Sequence, residues 1–334
     1  MLRTLTRHGL LTAMLALAPL AAAPARAELS TLHAAKQFGL GYVQYMIMED
    51  QQLVEKYAKA AGLGDVKVEW NTFRSSDVMN DALISGAVEF VSLGMPGLIT
   101  IWDRTKGNIG VMAASGLNAL PLNLMVRDSI KSLKDFKPEQ KISLPAVKVS
   151  NQAILLQMAA EKEWGAGQHG KLDANTVSMS HPDATIAMIG GNQDIVANFS
   201  SIPFQARQAS TPGLRKLTSS TEIIGGPFTF NVVATTKKFR TENPKLYKAF
   251  LDALNEATAL VNTDKQKTAE IYLRVSKDKS PPAEILALLN DPENQFTTKI
   301  TPIDNFIQFM VRTGNFKNKP QSTKELLFPE AQLQ

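Results

Sequence analysis

Cysteine does not occur anywhere in the 334 residues of this chain. Its absence excludes disulfide bonds, thiolate metal sites, a cysteine nucleophile and a lipid-modified N-terminal cysteine. The fold must therefore be stabilised by a hydrophobic core rather than by covalent cross-links. The chain is long enough to build such a core, and its length indicates about two domains.

Motifs for nucleotide binding and nucleophilic catalysis are missing as well. The segment Gly39-Leu40-Gly41 begins like a dinucleotide-binding fingerprint, but Gln44 occupies the position of its third glycine. The sequence has neither a G-x-x-x-x-G-K-S/T phosphate loop nor a G-x-S-x-G nucleophile elbow. Histidine is scarce, and only His33, His169 and His181 follow residue 27. We therefore expect neither catalysis nor a metal or cofactor site.

Positive charge is modest once the N-terminal segment is set aside. The formal net charge is +5, and the acid-free first 27 residues contribute Arg3, Arg7 and Arg26 to it. The rest of the chain carries +2 and has no run of Lys and Arg of the kind that follows phosphates. Nucleic acid is therefore not an expected partner.

The first 27 residues have the pattern of a secretory signal peptide. Arg3 and Arg7 precede an apolar run over residues 10–23, and Ala25-Arg26-Ala27 supplies the small residues of a cleavage site. A membrane anchor is the alternative, but a transmembrane helix needs about 20 apolar residues and this run is shorter. We expect cleavage after Ala27, which leaves an exported, soluble protein that begins at Glu28.

Strand-like and helix-like segments alternate along the first part of the mature chain. A helix is predicted over residues 42–61, and the alternation of Val66, Val68 and Trp70 predicts a half-buried strand. Ser75 and Ser76 begin the next helix, and a further strand over residues 88–93 leads into another helix. Strands that alternate with helices at this spacing predict βαβ units and a parallel sheet.

The alternation then restarts. Further strands are predicted over residues 122–126, 141–144, 176–179, 194–199 and 228–234, and further helices over 150–164, from His181, over 202–208 and, in a C-terminal tail, over 243–262, 265–275, 282–290 and 302–314. The fold class is therefore α/β with two lobes, each a mainly parallel sheet flanked by helices. Residues 28–118 plus 228–334 form lobe I, and residues 119–227 form lobe II. Ligands of such sheets bind at the carboxyl ends of the strands, so two facing lobes predict capture by hinge closure.

Six segments resemble the nitrate/sulfonate/taurine class of substrate-binding proteins of ABC transporters. They are GAVEF at 86–90, GMP at 94–96, NALPL at 118–122, AVKVSNQAILLQMAA at 146–160, SMSHPDAT at 178–185 and GGPFTFNVV at 225–233. The resemblance implies the type II periplasmic binding fold and a periplasmic monomer that captures a small polar or anionic solute. It also implies an ABC permease and its ATPase as partners, with no cofactor.

Two other functions occur on the same fold. One is an enzyme similar to thiamine-pyrimidine synthase, which relies on a cysteine-rich segment that this sequence lacks. The other is a sensory binding protein that presents its ligand to a receptor, and the sequence does not distinguish it from a transport protein.

The resemblance also implies a ligand site, because relatives bind their ligand with the turns that follow the strands of both lobes. The candidates carried over by position are Tyr42, Gln44, Arg74, Ser75, Ser76, Gly94, Met95, Asn118, Ser150, Gln152, His181, Asn198 and Thr229. Several have structural alternatives: the serines as helix caps, Tyr42 as packing, Arg74 as a solvated charge, and Asn198 and Thr229 as partners of the backbone. His181 is the strongest candidate, since we expect it at a helix N-cap, where a neutral imidazole donates one hydrogen bond to an oxyanion.

Overall fold

The computed structural model describes residues 27–301, 303–314 and 316–334. The predicted signal peptide lies outside the described residues except for Ala27. In the described part of the chain, no helix is both long enough and apolar enough to cross a bilayer. The protein has a mixed α/β fold built on two sheets.

The strands and helices follow one another in the order that the sequence predicts, with a few additions. The strands are β1 (Thr31–Lys36), β2 (Lys67–Thr72), β3 (Phe90–Gly94), β4 (Val111–Ala119), β5 (Asn123–Arg127), β6 (Lys141–Leu144), β7 (Thr176–Ser178), β8 (Ile195–Ser200), β9 (Leu214–Ser219), β10 (Asn231–Thr236), β11 (Gln295–Phe296), β12 (Lys299–Ile300) and β13 (Gln332–Leu333). The helices are α1 (Val43–Asp50), α2 (Leu53–Ala60), α3 (Ser76–Ser85), α4 (Met95–Thr105), α5 (Asn151–Trp164), α6 (His181–Ile189), α7 (Phe204–Ala209), α8 (Ser220–Ile224), α9 (Lys237–Glu242), α10 (Pro244–Thr263), α11 (Lys265–Ser276), α12 (Pro282–Asn290) and α13 (Asp304–Thr313).

The first sheet has the order β11-β4-β10-β3-β1-β2, and the second has the order β7-β6-β8-β5-β9. The expectation of mainly parallel sheets is confirmed, since β1 to β4 run in one direction in the first sheet and β6 to β9 do so in the second, although direct parallel pairing is limited to β2-β1-β3 and β7-β6-β8. In each sheet the strand that arrives from the other sheet runs antiparallel to its neighbours: β5 to β8 and β9, and β10 to β3 and β4.

The reason lies in where these two strands begin. Asn231 at the start of β10 pairs with Gly94 and Asn118 at the carboxyl ends of β3 and β4. Asn123 at the start of β5 pairs with Ser200 and Ser219 at the carboxyl ends of β8 and β9. A strand that enters from the other sheet therefore starts at the edge where its neighbours finish, and it must run in the opposite direction to them.

The sequence predictions differ from the structure at several elements. The single helix over 42–61 is two helices, α1 and α2, separated by Gln51 and by Gln52 in the left-handed conformation (φ 48°). The strands β1, β4 and β9, the short strands β11, β12 and β13, and the helices α8 and α9 were not predicted. β4 is buried along almost its whole length and carries small residues, so it lacks the period-two alternation that reveals a half-buried strand.

The core of the first sheet is aromatic. The Phe90 ring on β3 stacks on Phe250 of α10 with centroids 3.8 Å apart, and Tyr45 contacts the same phenylalanine edge-on. Such ring pairs add roughly 0.5–1.5 kcal/mol beyond the area they bury. This packing holds α10 against the sheet and leaves the carboxyl ends of β1, β2 and β3 free to face the second sheet.

Candidate functional site

The turns at the carboxyl ends of the two sheets contact each other, and Asn151 makes the central contact. It is the first residue of α5, in the second sheet's half of the molecule. Its side-chain oxygen accepts a hydrogen bond from the Met95 backbone N–H at 3.2 Å, and its amide nitrogen donates to the Phe230 carbonyl at 2.9 Å. Asn151 was not among the predicted site residues, although it stands between two that were, Ser150 and Gln152.

Gly94 is a glycine because of this contact and not because of its backbone conformation. Its φ is −67°, which any residue can adopt. A Cβ atom at this position would lie 2.3 Å from the amide nitrogen of Asn151. The turn between β3 and α4 therefore approaches α5 more closely than a side chain would permit.

A second contact between the sheets involves the turn after β1. The Leu40 backbone N–H donates to the carbonyl of Ile202 at 3.1 Å. Gly39 has a φ of 110°, and a Cβ there would lie 2.9 Å from the same carbonyl oxygen. This glycine is therefore required both by its left-handed backbone and by the close approach of the second sheet.

His181 lies in a buried cluster with Gln152 and Phe204. Its ring stacks on Phe204 with centroids 5.6 Å apart, and its Nε2 lies 3.4 Å from the Gln152 amide nitrogen. Burial lowers the pKa of His181 from 6.5 to about 4, so the ring is neutral at neutral pH. Its Nδ1 is buried and has no hydrogen-bond partner in the described part of the chain.

The expectation that His181 is the N-cap of its helix is wrong. Ser180 is the N-cap, and its hydroxyl accepts a hydrogen bond from the Asp183 backbone N–H at 3.3 Å. His181 is the first helical residue, and Pro182 is the second. The imidazole is thus not used for capping, and its Nδ1 remains available for another partner.

The turn after β2 supplies a second polar group. Ser76 is buried at the start of α3, and its hydroxyl accepts a hydrogen bond from the Gln37 amide at 3.2 Å. Ser75 is also buried, and its hydroxyl donates to the Asp77 carboxylate. Arg74 is exposed, and within the described residues no hydrogen bond or ion pair involves it.

Four predicted site residues use their side chains to hold the backbone. Gln44 donates to the Leu117 carbonyl, and Asn118 donates to the Gly41 carbonyl. The Ser150 hydroxyl caps α5 by accepting from the Ala153 N–H at 3.2 Å, and the Thr229 hydroxyl accepts from the Thr301 N–H at 2.8 Å. These contacts support the turns around the cleft, the region where the carboxyl ends of the two sheets face each other.

Tyr42 and Asn198 complete the set of predicted residues, and both are buried. Burial raises the pKa of the Tyr42 hydroxyl, and the neighbouring Asn231 side chain opposes that shift. Asn198 lies on β8, where it pairs with Met125 of β5 and Ser143 of β6. Neither atom of its amide has a hydrogen-bond partner among the described residues, which is unusual for a buried group.

A groove of about 580 Å³ also lies where the two halves meet, and its side chains were missed by the sequence reasoning. Its lining includes Lys36, Trp70, Phe204 and Arg207. Lys36 is the last residue of β1, so its place at a strand end was the available signal. No cluster of three or more acidic or histidine side chains able to hold a metal ion occurs within residues 27–301, 303–314 and 316–334.

Solved structures of binding proteins share this fold. The alkanesulfonate-binding protein SsuA from Xanthomonas axonopodis pv. citri, bound to MOPS, is 17% identical with a TM-score of 0.69, over 92% of this chain and 100% of that one. The periplasmic aliphatic sulphonate binding protein SsuA from Escherichia coli is 18% identical with a TM-score of 0.63, over 89% and 97%. The periplasmic nitrate-binding protein NrtA from Synechocystis PCC 6803 is 15% identical with a TM-score of 0.67, over 91% and 87%. These similarities confirm the fold prediction.

Sequence comparison gives the family. No curated protein matches the chain at a significant level. A family model described as NMT1/THI5 like matches residues 57–267, which is more than half of the chain. That match confirms the family resemblance seen in the sequence, and the chain belongs to the NMT1/THI5-like family.

Proposed function

We propose that the protein is the solute-binding subunit of an ABC importer, which captures a small polar or anionic molecule between two lobes and delivers it to a membrane permease. Residues 28–118 plus 228–334 form one lobe, and residues 119–227 form the other. The observation that carries the proposal is the arrangement at the facing strand ends: a buried, neutral His181 beside Gln152, with one ring nitrogen unpaired.

The proposed site beside His181 offers neutral hydrogen-bond donors. A neutral imidazole and a primary amide each offer hydrogen bonds to an oxyanion without adding a fixed positive charge. Because hydrogen bonds to a charged group contribute about 1.5–3 kcal/mol each, a few of them give tight but reversible binding. We assign the solute contacts to Ser75, Ser76, Gly94 and Met95 from one lobe.

From the other lobe we assign the contacts to Gln152, His181 and Asn198. Gln44, Asn118, Ser150 and Thr229 position the surrounding backbone through the hydrogen bonds described above. Tyr42 packs beneath the site, and Arg74 at its rim attracts anions from solution.

The cellular setting follows from the family and the N-terminal pattern. The protein is exported to the periplasm after cleavage at Ala27, acts as a monomer, and docks on an ABC permease whose ATPase drives import. An enzymatic function on this fold would require turnover of the bound molecule, and the sequence supplies no cysteine for the chemistry of the thiamine-pyrimidine synthases.

Native mass spectrometry of protein purified without added ligand tests the proposal by identifying the solute that copurifies. Calorimetric titration of that solute should then show a tenfold to hundredfold loss of affinity for His181→Ala, since a hydrogen bond of about 1.5–3 kcal/mol to a charged group is removed. His33→Ala, on the strand β1 beside Glu69 and Glu89, is the matched control and should bind as the wild type does.

Two results would contradict the proposal. One is an unchanged affinity of His181→Ala together with a lowered melting temperature, which would reduce His181 to a packing residue. The other is conversion of the bound molecule into a product during incubation, which would indicate an enzyme.

A further inference from the structure

The groove between the two halves has walls from the first sheet, from the helices α6 and α7, and from the end of α11. Lys36 is the last residue of β1 and Trp70 lies on β2, whereas Phe204 and Arg207 lie on α7 and Asp278 follows α11. Its volume of about 580 Å³ lies in the range of sites that hold organic molecules, roughly 300–1,000 Å³. An inorganic oxyanion needs only the space of one or two waters, about 30 Å³ each in the liquid.

Two cations face this groove, Lys36 from β1 and Arg207 from α7, and each lies over an aromatic ring. The Lys36 ammonium is 5.4 Å from the centroid of Trp70, and the Arg207 guanidinium is 5.7 Å from the centroid of Phe204. Lys36 bonds Glu49 at 2.6 Å, and Arg207 bonds Asp278 and Ser280.

Both cations keep donors free for a ligand. An ammonium has three donors and a guanidinium has five. Within the described residues, Lys36 uses one donor on Glu49, and the Nη1 group of Arg207 makes no hydrogen bond. An anion in the groove can therefore bond both cations while their existing ion pairs stay intact.

The mouth of the groove is apolar and bordered by positive charge. Phe38 from the first sheet is 39% exposed and Ile186 from α6 is 71% exposed, and both line the groove. Large exposed apolar side chains on both walls of one groove indicate that something apolar covers them. Lys277 and Lys279 add two exposed cations at the rim, so the lining carries four cations against the two acids Glu49 and Asp278.

We propose that this groove binds an organic anion, a carboxylate or sulfonate with an aromatic or bulky apolar body, and this inference rests on the proposed solute-binding function. The anionic group bonds Lys36 and Arg207. The body packs between Trp70 and Phe204 and covers Phe38 and Ile186. Nitrate and bicarbonate lack such a body and leave the apolar walls exposed to water.

Tryptophan fluorescence tests where the ligand binds. Benzoate and benzenesulfonate should bind and change the emission, whereas nitrate and the neutral benzyl alcohol should bind at least tenfold more weakly, because each lacks one of the two recognised features. Trp70→Phe keeps an aromatic ring in the wall and should abolish most of the fluorescence change. Trp164→Phe, at the end of α5 outside the groove, should preserve it.

Calorimetric titration tests whether Lys36 bonds the anionic group of the ligand. Lys36→Met should weaken benzoate and benzenesulfonate binding by roughly tenfold or more, since it removes a hydrogen bond to a charged group. Lys67→Met is the matched control on the neighbouring strand β2, where Lys67 pairs with Glu69 at the surface. The affinity of Lys67→Met for both anions should equal that of the wild type.

The outcomes separate this inference from the capture function. Binding of nitrate as tight as that of the aromatic anions, binding insensitive to Lys36→Met, or a fluorescence change that persists in Trp70→Phe would overturn the groove proposal. If a copurified solute still binds through His181 in that case, solute capture stands. Aromatic anions that bind at Trp70 and are converted into product would support the groove and overturn the transport function.

Discussion

Several buried polar side chains around the cleft lack partners within the described residues. Both amide atoms of Asn198, the Nδ1 of His181 and the side-chain oxygen of Gln44 make no hydrogen bond there. A buried polar group without a partner costs about 1–3 kcal/mol. Groups of this kind at the facing strand ends are accounted for if a polar solute or water completes their hydrogen bonding, which is the reason we place the solute beside His181.

The pKa of His181 gives a pH-dependent contribution to stability. Burial lowers its pKa from 6.5 to about 4, so the folded protein favours the neutral ring. The contribution of His181 to the free energy of unfolding is therefore complete above the pKa that the ring has in the unfolded chain. It is lost as pH falls toward 4, at about 1.4 kcal/mol per pH unit. The free energy of unfolding of His181→Gln should fall less than that of the wild type over this window.

Urea denaturation at several pH values between about 7 and 4.5 measures the difference. The two stability curves should converge as the solution becomes more acidic, because the substitution removes the group that gains a proton on unfolding. Parallel curves across the whole window would show that His181 is not buried as a neutral ring.

At the scale of the elements, the junction of β3, α4 and α5 holds the two halves together. Asn151 at the start of α5 bonds the Met95 N–H and the Phe230 carbonyl, and the missing Cβ of Gly94 makes room for it. The polar contacts here are few, so the position of α5 relative to the first sheet depends on them.

Gly94→Ala should lower the free energy of unfolding by about 1–3 kcal/mol, the usual cost of an added methyl group in a closely packed site. The added Cβ would lie 2.3 Å from the Asn151 amide nitrogen and would displace that side chain from both hydrogen bonds. Gly226→Ala is the matched control, because a Cβ there has no neighbour within 4 Å and its φ is ordinary. Chemical denaturation of both variants checks this, and equal stability of the two would contradict the packing role of Gly94.

At the scale of the whole molecule, the two halves are joined by side chains that can separate. Arg312 of α13 bonds the Glu161 carboxylate of α5 through two nitrogens at 2.8 and 2.7 Å, and Arg207 of α7 bonds Asp278 after α11. The Arg312 side chain is 55% exposed, and an ion pair at a surface contributes about 0–1 kcal/mol. Weak interactions of this kind are compatible with opening of the cleft about the two chain segments that connect the sheets, from β4 to β5 and from β9 to β10.

Small-angle scattering should show a smaller radius of gyration when the copurified solute is added, because the solute bonds both lobes and favours the closed arrangement. His181→Ala at the same solute concentration should change less, since its affinity is reduced. A scattering curve that does not change at saturating solute would contradict hinge closure.

The sequence by itself determined the fold class, the family and the order of most elements. Alternating periodicity located β2, and helix caps located α3 and α5, because these are local signals. The absence of cysteine and of catalytic motifs is also a property of the sequence alone.

Only the tertiary structure decided the direction of β5 and β10, the strand β4 and the partners of the site residues. The direction of a strand depends on which sheet it enters, and a strand buried on both faces has no alternation to reveal it. Whether a polar residue such as Gln44 or His181 holds the backbone or remains free depends on neighbours distant in sequence. For the same reason, the groove around Lys36 and Arg207 exists only once β1 and α7 have been brought together by the chain segments that connect the two sheets.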